Sequence, residues 1–259
     1  MILPMMKFKN SQQKSKRSKQ KSNYSLWEKF SPLTWLITIL MFSTNSFALS
    51  LVIDPGHGGT DTGAKYGSAK ESAIALQVSK ILKKLLENEK SIQTSLTRDT
   101  DQSLTLPERV HIAEKKKADL FISIHLNASR NAKAQGVEFY FQNQLEPDEE
   151  TLYLANLENQ KNSDLGEAFN NDNTLTKKGD VAAIIEDLRR TYKMGQSHLL
   201  SQKLFSSWSQ QLNIGKDSNP IRQAPFYVIS KTKIPSVLVE LGFLSNPKEA
   251  DKLNNPNFQ

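Results

Sequence analysis

Two histidines and two glutamates of this chain stand at the borders of predicted strands and helices. His57 follows the apolar run "LSLVID", His125 ends "DLFISIH", and Glu240 lies near the end of "SVLVEL". Glu71 lies in the first turn of a predicted helix that follows the glycine-rich loop. Two histidines and one carboxylate, with a fourth position for water, are typical of a catalytic zinc site. Zinc lowers the pKa of that water towards about 7 and polarises a substrate carbonyl, while a second carboxylate moves the proton.

Each of these residues also has a purely structural interpretation. A histidine among glycines is a common turn residue, and a histidine at the end of a strand can be a hydrogen-bonded core residue. The helix dipole favours an acid in the first turn, which accounts for Glu71 alone. Glu240 is harder to explain in this way, because a carboxylate among apolar residues is costly to bury without a partner. His111 and His198 fall in polar helical segments and are expected at the surface.

The segments that would position these residues alternate between strand and helix. Apolar residues at helical spacing predict the first helix, and a capping box of Thr105 and Glu108 opens the second. The predicted strands span 49–54, 92–98, 119–125, 136–141, 226–230 and 236–241, and the predicted helices span 70–89, 105–117, 149–160 and 180–212. This order predicts a single α/β domain with a mostly parallel or mixed central sheet of about six strands and helices on both faces. In such sheets ligands gather at the carboxyl ends of the strands.

The positive charge of the chain is confined to its first 48 residues. The sequence has 34 basic and 27 acidic residues; residues 1–48 hold eight of the former and one of the latter, so 26 of each remain. Because the remainder is neutral overall, we expect no nucleic-acid partner. The chain has no cysteine, so disulfides do not stabilise the domain, and core packing must do so, with a metal as a further candidate.

The same 48 residues have the layout of an export signal. A basic segment up to Lys29 is followed by the apolar segment "PLTWLITILMF" and by the small residues Ser46 and Ala48 at the cleavage position. The apolar segment is shorter than the roughly 20 residues that cross a membrane. We therefore predict a signal peptide over residues 1–48, with an uncleaved anchor as the alternative. Either form exports residues 49–259 to the periplasm or the cell wall.

Six segments occur in the order found in one enzyme family. They are "VIDPGHGGTDTGA", "KESAIALQVSKILKKLLE", "SLTRDTD", "LPERVHIAEKKKADLFISIHLNAS", "GVEFYF" and "PSVLVELGFLSNPKEADKL". This set resembles the motifs of the zinc-dependent N-acetylmuramoyl-L-alanine amidases of type 3, bacterial cell-wall hydrolases of the kind that separate daughter cells. The resemblance covers residues 50–253 and implies that His57, Glu71 and His125 bind Zn²⁺. It implies that Glu240 is the catalytic residue in hydrolysis of the amide between N-acetylmuramic acid and L-alanine in peptidoglycan.

The resemblance also suggests roles for residues around this centre. Asn127 follows the second histidine closely enough to touch substrate, and Arg222 is a second candidate for substrate binding or for a structural role. Arg98 and Arg109 match family positions and are interpreted as structural, each paired with an acid such as Asp99 or Asp119. We expect the domain to be a monomer.

A polar, helical insertion at about 142–190 separates the fourth predicted strand from the last two. In division-associated members of the family, a helix inserted here can lie over the zinc until an activator protein displaces it. The segment "ETLYLANLENQKNSDLGEAF" resembles that helix, and Glu158 is the candidate blocking residue. A solvated surface helix is the alternative. The prediction is thus a catalytic domain over residues 49–259 with a regulatory insertion and an activator as partner.

Two other functions remain open at the level of the sequence. A zinc peptidase could use the same residues to cut within the stem peptide, and a catalytically inactive module could only bind the wall. Intact stem peptides that begin with L-alanine would distinguish the amidase from the peptidase. The presence of all four site residues argues against the inactive module.

Overall fold

The computed structural model describes residues 48–160, 180–212 and 220–259. The predicted signal peptide, apart from Ala48, and the middle of the predicted insertion lie outside the described residues. The strands are β1 (Leu49–Pro55), β2 (Lys65–Tyr66), β3 (Ala69–Lys70), β4 (Ile92–Leu96), β5 (Leu120–Asn127), β6 (Glu138–Phe141), β7 (Ile221–Gln223) and β8 (Ser236–Phe243). The helices are α1 (Glu71–Leu86), α2 (Leu106–Lys115), α3 (Glu149–Gln160), α4 (Asp180–Leu212), α5 (Tyr227–Lys231) and α6 (Pro247–Leu253).

Six strands form one mixed sheet in the order β4-β1-β5-β8-β6-β7, while β2 and β3 form a small separate ribbon. The first four strands of this order are parallel, and β6 runs antiparallel to β8. The predicted mixed α/β sheet of six strands is therefore confirmed. Because β6 is reversed, its first residue lies at the same sheet edge as the last residues of β5 and β8.

Helices cover both faces of this sheet, as predicted. Side chains alternate between the faces along each strand, so consecutive apolar residues enter different cores. One core includes Ile53, Ile124 and Val239, and the other includes Val52, Phe121 and Leu238. The first packs against α1, α4 and α6, through residues such as Ile74, Leu204 and Ala250. The second packs against α2, α3 and α5, through residues such as Ala113, Ala155 and Ile229. This layering explains why the strands are almost continuously apolar.

One predicted strand is wrong. Residues 226–230 were predicted as a strand but lie in the N-cap and body of α5, and the strand β7 precedes them at Ile221–Gln223. Pro225 separates the two elements and has no backbone N–H to donate to a ladder. The sequence of a short apolar run does not distinguish a strand from a buried helical turn. In the structure Val228 and Ile229 are buried in the core as part of a helix.

The other predicted elements agree closely with the structure. The predicted helices at 149–160 and 180–212 have the same bounds as α3 and α4. The capping box at α2 is present, with the Thr105 side chain accepting from the backbone N–H of Glu108 and the Glu108 carboxylate accepting from that of Thr105. Within the described part of the chain, no helix combines the length and the apolar character needed to cross a membrane.

Candidate metal centre

The loop that follows β1 has an unusual backbone path that two buried arginines stabilise. His57 has a φ of 54°, in the left-handed region that few residues other than glycine adopt. Arg98 donates to the carbonyls of Pro55 and Gly56 at 3.0 and 2.6 Å. Arg109 donates to the carbonyls of Pro55 and His57, both at 2.7 Å. The two guanidinium groups therefore hold the loop in the conformation that presents the His57 side chain.

The acid that pairs with Arg109 differs from the prediction. Arg109 Nη1 lies 2.8 Å from Asp54 Oδ1, and Asp54 also accepts from the hydroxyls of Thr97 and Ser123. Burial raises the pKa of Asp54, but Arg109 and these hydrogen bonds outweigh it and hold that pKa below the ordinary 3.8. Arg98 makes backbone contacts instead, so the predicted pairs with Asp99 or Asp119 are wrong. A buried guanidinium can satisfy its N–H groups with carbonyl oxygens alone.

The three predicted metal ligands, His57, Glu71 and His125, lie together at the carboxyl edge of the sheet. His57 Nε2 lies 2.9 Å from Glu71 Oε1, and His125 Nδ1 lies 3.0 Å from the same oxygen. The two imidazole rings are 4.9 Å apart between their centroids. The carboxylate of Glu71 is oriented by the backbone N–H groups of Ala64 and Leu126, at 2.8 and 3.0 Å. Residues from β5, α1 and the loop after β1 therefore share one small volume.

Asp61 defines which nitrogen of His57 faces this volume. Its Oδ2 lies 2.7 Å from His57 Nδ1, and its Oδ1 accepts from the backbone N–H of Gly63 at 3.0 Å. In the neutral imidazole, a carboxylate at Nδ1 favours the tautomer that carries its proton there, so Nε2 is the nitrogen that would offer its lone pair to a metal ion. Sequence reasoning did not single out Asp61, although it stands four residues after the first histidine.

The residues fit a bound cation. His57 Nε2 is buried and has no well-aligned hydrogen bond, despite its distance of 2.9 Å from Glu71. Burial lowers the pKa of His57, but Glu71, Asp61 and Glu158 outweigh this effect and raise it to about 10, so the site favours positive charge. Ligand atoms of His57, His125 and Glu158 all lie within 4.8 Å of one another. Imidazole and carboxylate ligands in this number suit Zn²⁺.

Two glycines provide the space that these side chains occupy. A Cβ added at Gly56 would lie 2.5 Å from His125 Cε1, and one added at Gly63 would lie 2.4 Å from Glu71 Oε2. Gly63 also has a φ of 63°. Gly56 and Gly63 of the "DPGHGGTDTGA" segment are therefore needed next to the proposed ligands, where the backbone approaches their side chains closely.

Glu240 lies beside this centre on β8. It pairs with His125 across the β5–β8 ladder and with Glu138 across the β6–β8 ladder, and it is 5% exposed. Its Oε2 is buried without a hydrogen-bond partner among the described residues. Burial raises the pKa of Glu240 well above its ordinary range, and the carboxylates of Glu71, Glu158 and Glu138 raise it further. A carboxylate in this environment accepts a proton readily and suits general acid–base chemistry.

Glu138 is a residue of this region that sequence reasoning missed. Its carboxylate accepts hydrogen bonds from Asn127 Nδ2 at 2.9 Å, Tyr140 OH at 2.7 Å and Arg222 Nε at 2.7 Å. Both predicted substrate-binding residues, Asn127 and Arg222, therefore contact one unpredicted acid. The signal was present in "GVEFYF", where a carboxylate stands in an apolar strand just as Glu240 does in "VLVELGF".

Helix α3 brings Glu158 to the centre. Glu158 Oε2 lies 3.3 Å from His57 Nε2. The next residue, Asn159, accepts from the backbone N–H of Tyr227 at 2.8 Å and donates to the carbonyl of Pro225 at 3.1 Å. Ala155 of the same helix is buried in the core. The helix is therefore anchored on the domain at its carboxyl end, close to the predicted ligands.

The two remaining histidines lie away from these residues. His111 and His198 are exposed, as predicted. His198 stacks on Phe141 with 4.9 Å between ring centroids.

A mixed α/β sheet with imidazoles and carboxylates gathered at its carboxyl edge defines the chain as a hydrolase domain with a metal-binding centre. The family model described as N-acetylmuramoyl-L-alanine amidase, Amidase_3, matches residues 51–259. The chain therefore belongs to the N-acetylmuramoyl-L-alanine amidase family, as its motifs predicted.

Relatives and a solved structure agree with this family. AmiA of Escherichia coli is 34% identical over 212 residues, which cover 81% of this chain and 70% of that protein. A probable amidase of Haemophilus influenzae, AmiB, is 32% identical over 240 residues, which cover 87% of this chain and 53% of that protein. The chain thus spans about half the length of the Haemophilus relative. An N-acetylmuramoyl-L-alanine amidase from Clostridium difficile 630 has a TM-score of 0.59 and 26% identity, over 82% of this chain and 89% of that chain.

Proposed function

We propose that this chain is an exported, zinc-dependent amidase that cleaves the bond between N-acetylmuramic acid and the L-alanine of the stem peptide in peptidoglycan. Its proposed role is cell-wall remodelling and the separation of daughter cells, with the active domain in the periplasm or at the wall. One observation carries the proposal. His57 Nε2 and Glu240 Oε2 are both buried at one sheet edge, and neither makes a well-aligned hydrogen bond to any described residue. Family membership supports the choice of substrate.

The residues that would hold Zn²⁺ are His57, Glu71 and His125. When bound, Zn²⁺ polarises the amide carbonyl and favours deprotonation of water. Glu240 Oε2 accepts the proton of the attacking water and then delivers it to the amine of L-alanine as the C–N bond breaks. The products are a free carboxylic acid on the lactyl group and a stem peptide with a free amino terminus. Asp61 keeps His57 in the tautomer that presents Nε2 throughout.

We propose further that α3 inhibits the enzyme. The carboxylate of Glu158 lies 3.3 Å from His57 Nε2, so it occupies the position that a substrate carbonyl or water would need. The two hydrogen bonds of Asn159 to the residues before and in α5 hold the helix in this place. Release of Glu158 would open the centre without any change in the predicted ligands.

An activator protein is the proposed cause of that release. Large apolar side chains are exposed on α3 and on the first part of α4: Leu152, Tyr153 and Leu157 on α3, and Val181, Ile184, Ile185, Leu188 and Tyr192 on α4. Exposed apolar residues at this density mark surfaces that bind another protein. A partner that covers them could draw α3 away from the sheet.

The test is digestion of purified sacculi by the zinc-loaded chain, followed by mass spectrometry of the products. We expect intact stem peptides that begin with L-alanine, and loss of this activity on chelation and its return with Zn²⁺. Glu158→Gln should raise the rate of digestion, whereas Glu150→Gln, an exposed position on the same helix, should leave it unchanged. Shortened stem peptides would instead identify a peptidase. No products from either the native chain or Glu158→Gln would leave only wall binding.

A further inference from the structure

The side chains of Glu138 and Arg222 form a charged pair at the edge of the proposed active site. We propose that Arg222, oriented by Glu138, forms a carboxylate-binding subsite that recognises the free carboxylate next to L-alanine in the stem peptide. This inference rests on the proposed function, because it names the substrate group that the same site selects.

The geometry leaves part of the guanidinium accessible. Arg222 Nε donates to Glu138 Oε1 at 2.7 Å, and the side chain of Arg222 is 42% exposed. Its Nη1 lies 4.0 Å from Asp148 Oδ2, beyond hydrogen-bond distance. Asn127 and Tyr140 donate hydrogen bonds to the Glu138 carboxylate and fix its orientation. Glu138 in turn fixes the position of the Arg222 guanidinium. An anchored, partly exposed guanidinium is well suited to bind a carboxylate through two parallel hydrogen bonds.

The distance from the scissile bond is appropriate. Glu138 is the direct neighbour of Glu240 across the β6–β8 ladder, and adjacent strands lie about 4.8 Å apart. In peptidoglycan the residue after L-alanine is a glutamate linked through its side chain, whose α-carboxyl group is either free or amidated. Two extended residues span about 7 Å, so a scissile amide at Glu240 places this group one to two strands away. Arg222, on β7, lies within that range.

Electrostatics give such a subsite a purpose. The centre is rich in carboxylates, since Glu71, Glu138, Glu158 and Glu240 all lie within or beside it. A substrate that carries its own carboxylate is repelled by them at short range. Arg222 is already paired with Glu138 and lies near Asp148, so it does not neutralise the centre as a whole. Its accessible N–H groups instead offset the repulsion locally, through charge-assisted hydrogen bonds that a free carboxylate accepts more strongly than an amide does. The subsite would therefore select between the two natural forms of the stem peptide.

The experiment compares two muropeptides that differ only in whether this carboxyl group is free or amidated. Hydrolysis is measured with the zinc-loaded chain in a Glu158→Gln background, so that the proposed inhibition does not mask the result. We expect a preference of about tenfold or more for the free acid. Arg222→Gln should abolish this preference by raising KM for the free acid, with kcat and the amidated substrate little changed. Arg222→Lys should restore part of it, because lysine lacks the two parallel donors.

Two further measurements keep the outcomes separate. Glu138→Gln should also raise KM for the free acid, whereas Arg189→Gln, an exposed arginine on α4, should not. Thermal unfolding of each variant reports whether the fold is kept. Equal losses on both substrates with Arg222→Gln would overturn the subsite. If neither substrate is hydrolysed by any variant, the amidase proposal fails. Binding of the two muropeptides to the zinc-loaded Glu240→Gln variant then tests the subsite by itself, and equal affinities would overturn it.

Discussion

Replacement of Gly63 by alanine tests whether the glycine-rich loop exists to make room for metal ligands. Two effects are expected from Gly63→Ala. The φ of 63° places the new side chain in the left-handed region, which costs about 1 kcal/mol. The new Cβ would also lie 2.4 Å from Glu71 Oε2, which is 1.0 Å short of the 3.4 Å at which ordinary contact begins, and 2.7 Å from His57 Cδ2. Both proposed ligands must therefore move.

The chain contains a matched control for the first effect. Gly67, in the turn between β2 and β3, has a similar φ of 56°, but a Cβ there meets nothing within 4 Å. Gly67→Ala should lower the free energy of unfolding by about 1 kcal/mol and leave zinc affinity unchanged. Gly63→Ala should lose about 1–3 kcal/mol more through overpacking. Metal–ligand distances tolerate only about 0.2 Å, so a displaced Glu71 should weaken zinc binding by roughly 10–100-fold.

Two measurements separate these effects. Urea unfolding of the metal-free proteins gives the stability difference, and competition with a chromophoric chelator at about pH 7 gives the zinc affinity. The reasoning predicts that the two variants share the backbone penalty and differ in zinc binding. If Gly63→Ala binds zinc as tightly as Gly67→Ala, Gly63 is only a turn residue. The assignment of Glu71 and His57 as ligands would then lose its steric support.

Three other predictions concern single carboxylates. Glu240→Gln should lower the rate of hydrolysis by roughly 10²–10⁴-fold while zinc affinity, measured by chelator competition, is retained; loss of both would show a structural role. Asp61→Asn keeps the hydrogen bond from the backbone N–H of Gly63 but removes the negative charge beside His57 Nδ1. Zinc affinity should therefore fall about 10-fold or more. An unchanged affinity would contradict the proposal that Asp61 orients the His57 ring. Asp54→Asn should lower the free energy of unfolding by about 3 kcal/mol near pH 7, because it leaves Arg109 buried without its charge partner. The pKa of Asp54 in the folded protein lies below its ordinary value of 3.8. The extra stability of the native chain over Asp54→Asn is therefore fully present above pH 3.8 and should disappear as the pH falls through the lower, folded-state pKa. Urea unfolding of both proteins across this pH range tests the direction of the change.

Most of the architecture followed from local patterns. Apolar residues at helical spacing predicted α1, and the capping box at Thr105 marked the start of α2, because these signals depend on neighbours within one or two turns. The segment at 226–230 was predicted wrongly because its conformation is not set by local signals. Its five residues span little more than one helical turn, which is too short to show a periodic pattern, and its conformation depends on packing against distant elements.

In the candidate site, too, residues marked by local motifs were predicted, whereas contacts between distant residues were not. His57, Glu71, His125 and Glu240 were predicted from their places at strand and helix borders and from the family motifs, and the structure places them close together at one sheet edge. The partners of Arg98 and Arg109 were not predicted, because Asp54 and all of the carbonyls that they contact except that of Thr100 are 26 to 55 residues away in the chain. Glu138 was missed although its apolar context resembled that of Glu240.

The sequence by itself determined most of the elements and the family, because periodicity and motif order are properties of the chain. Only the tertiary structure decided which side chains meet. The reversed direction of β6 brings Glu138 beside Glu240, where parallel pairing would have carried it to the other edge of the sheet. The path of α3 brings Glu158 to His57 across 101 positions of the chain. Such contacts depend on strand order, register and helix docking, which are set by burial over the whole domain rather than by any local segment.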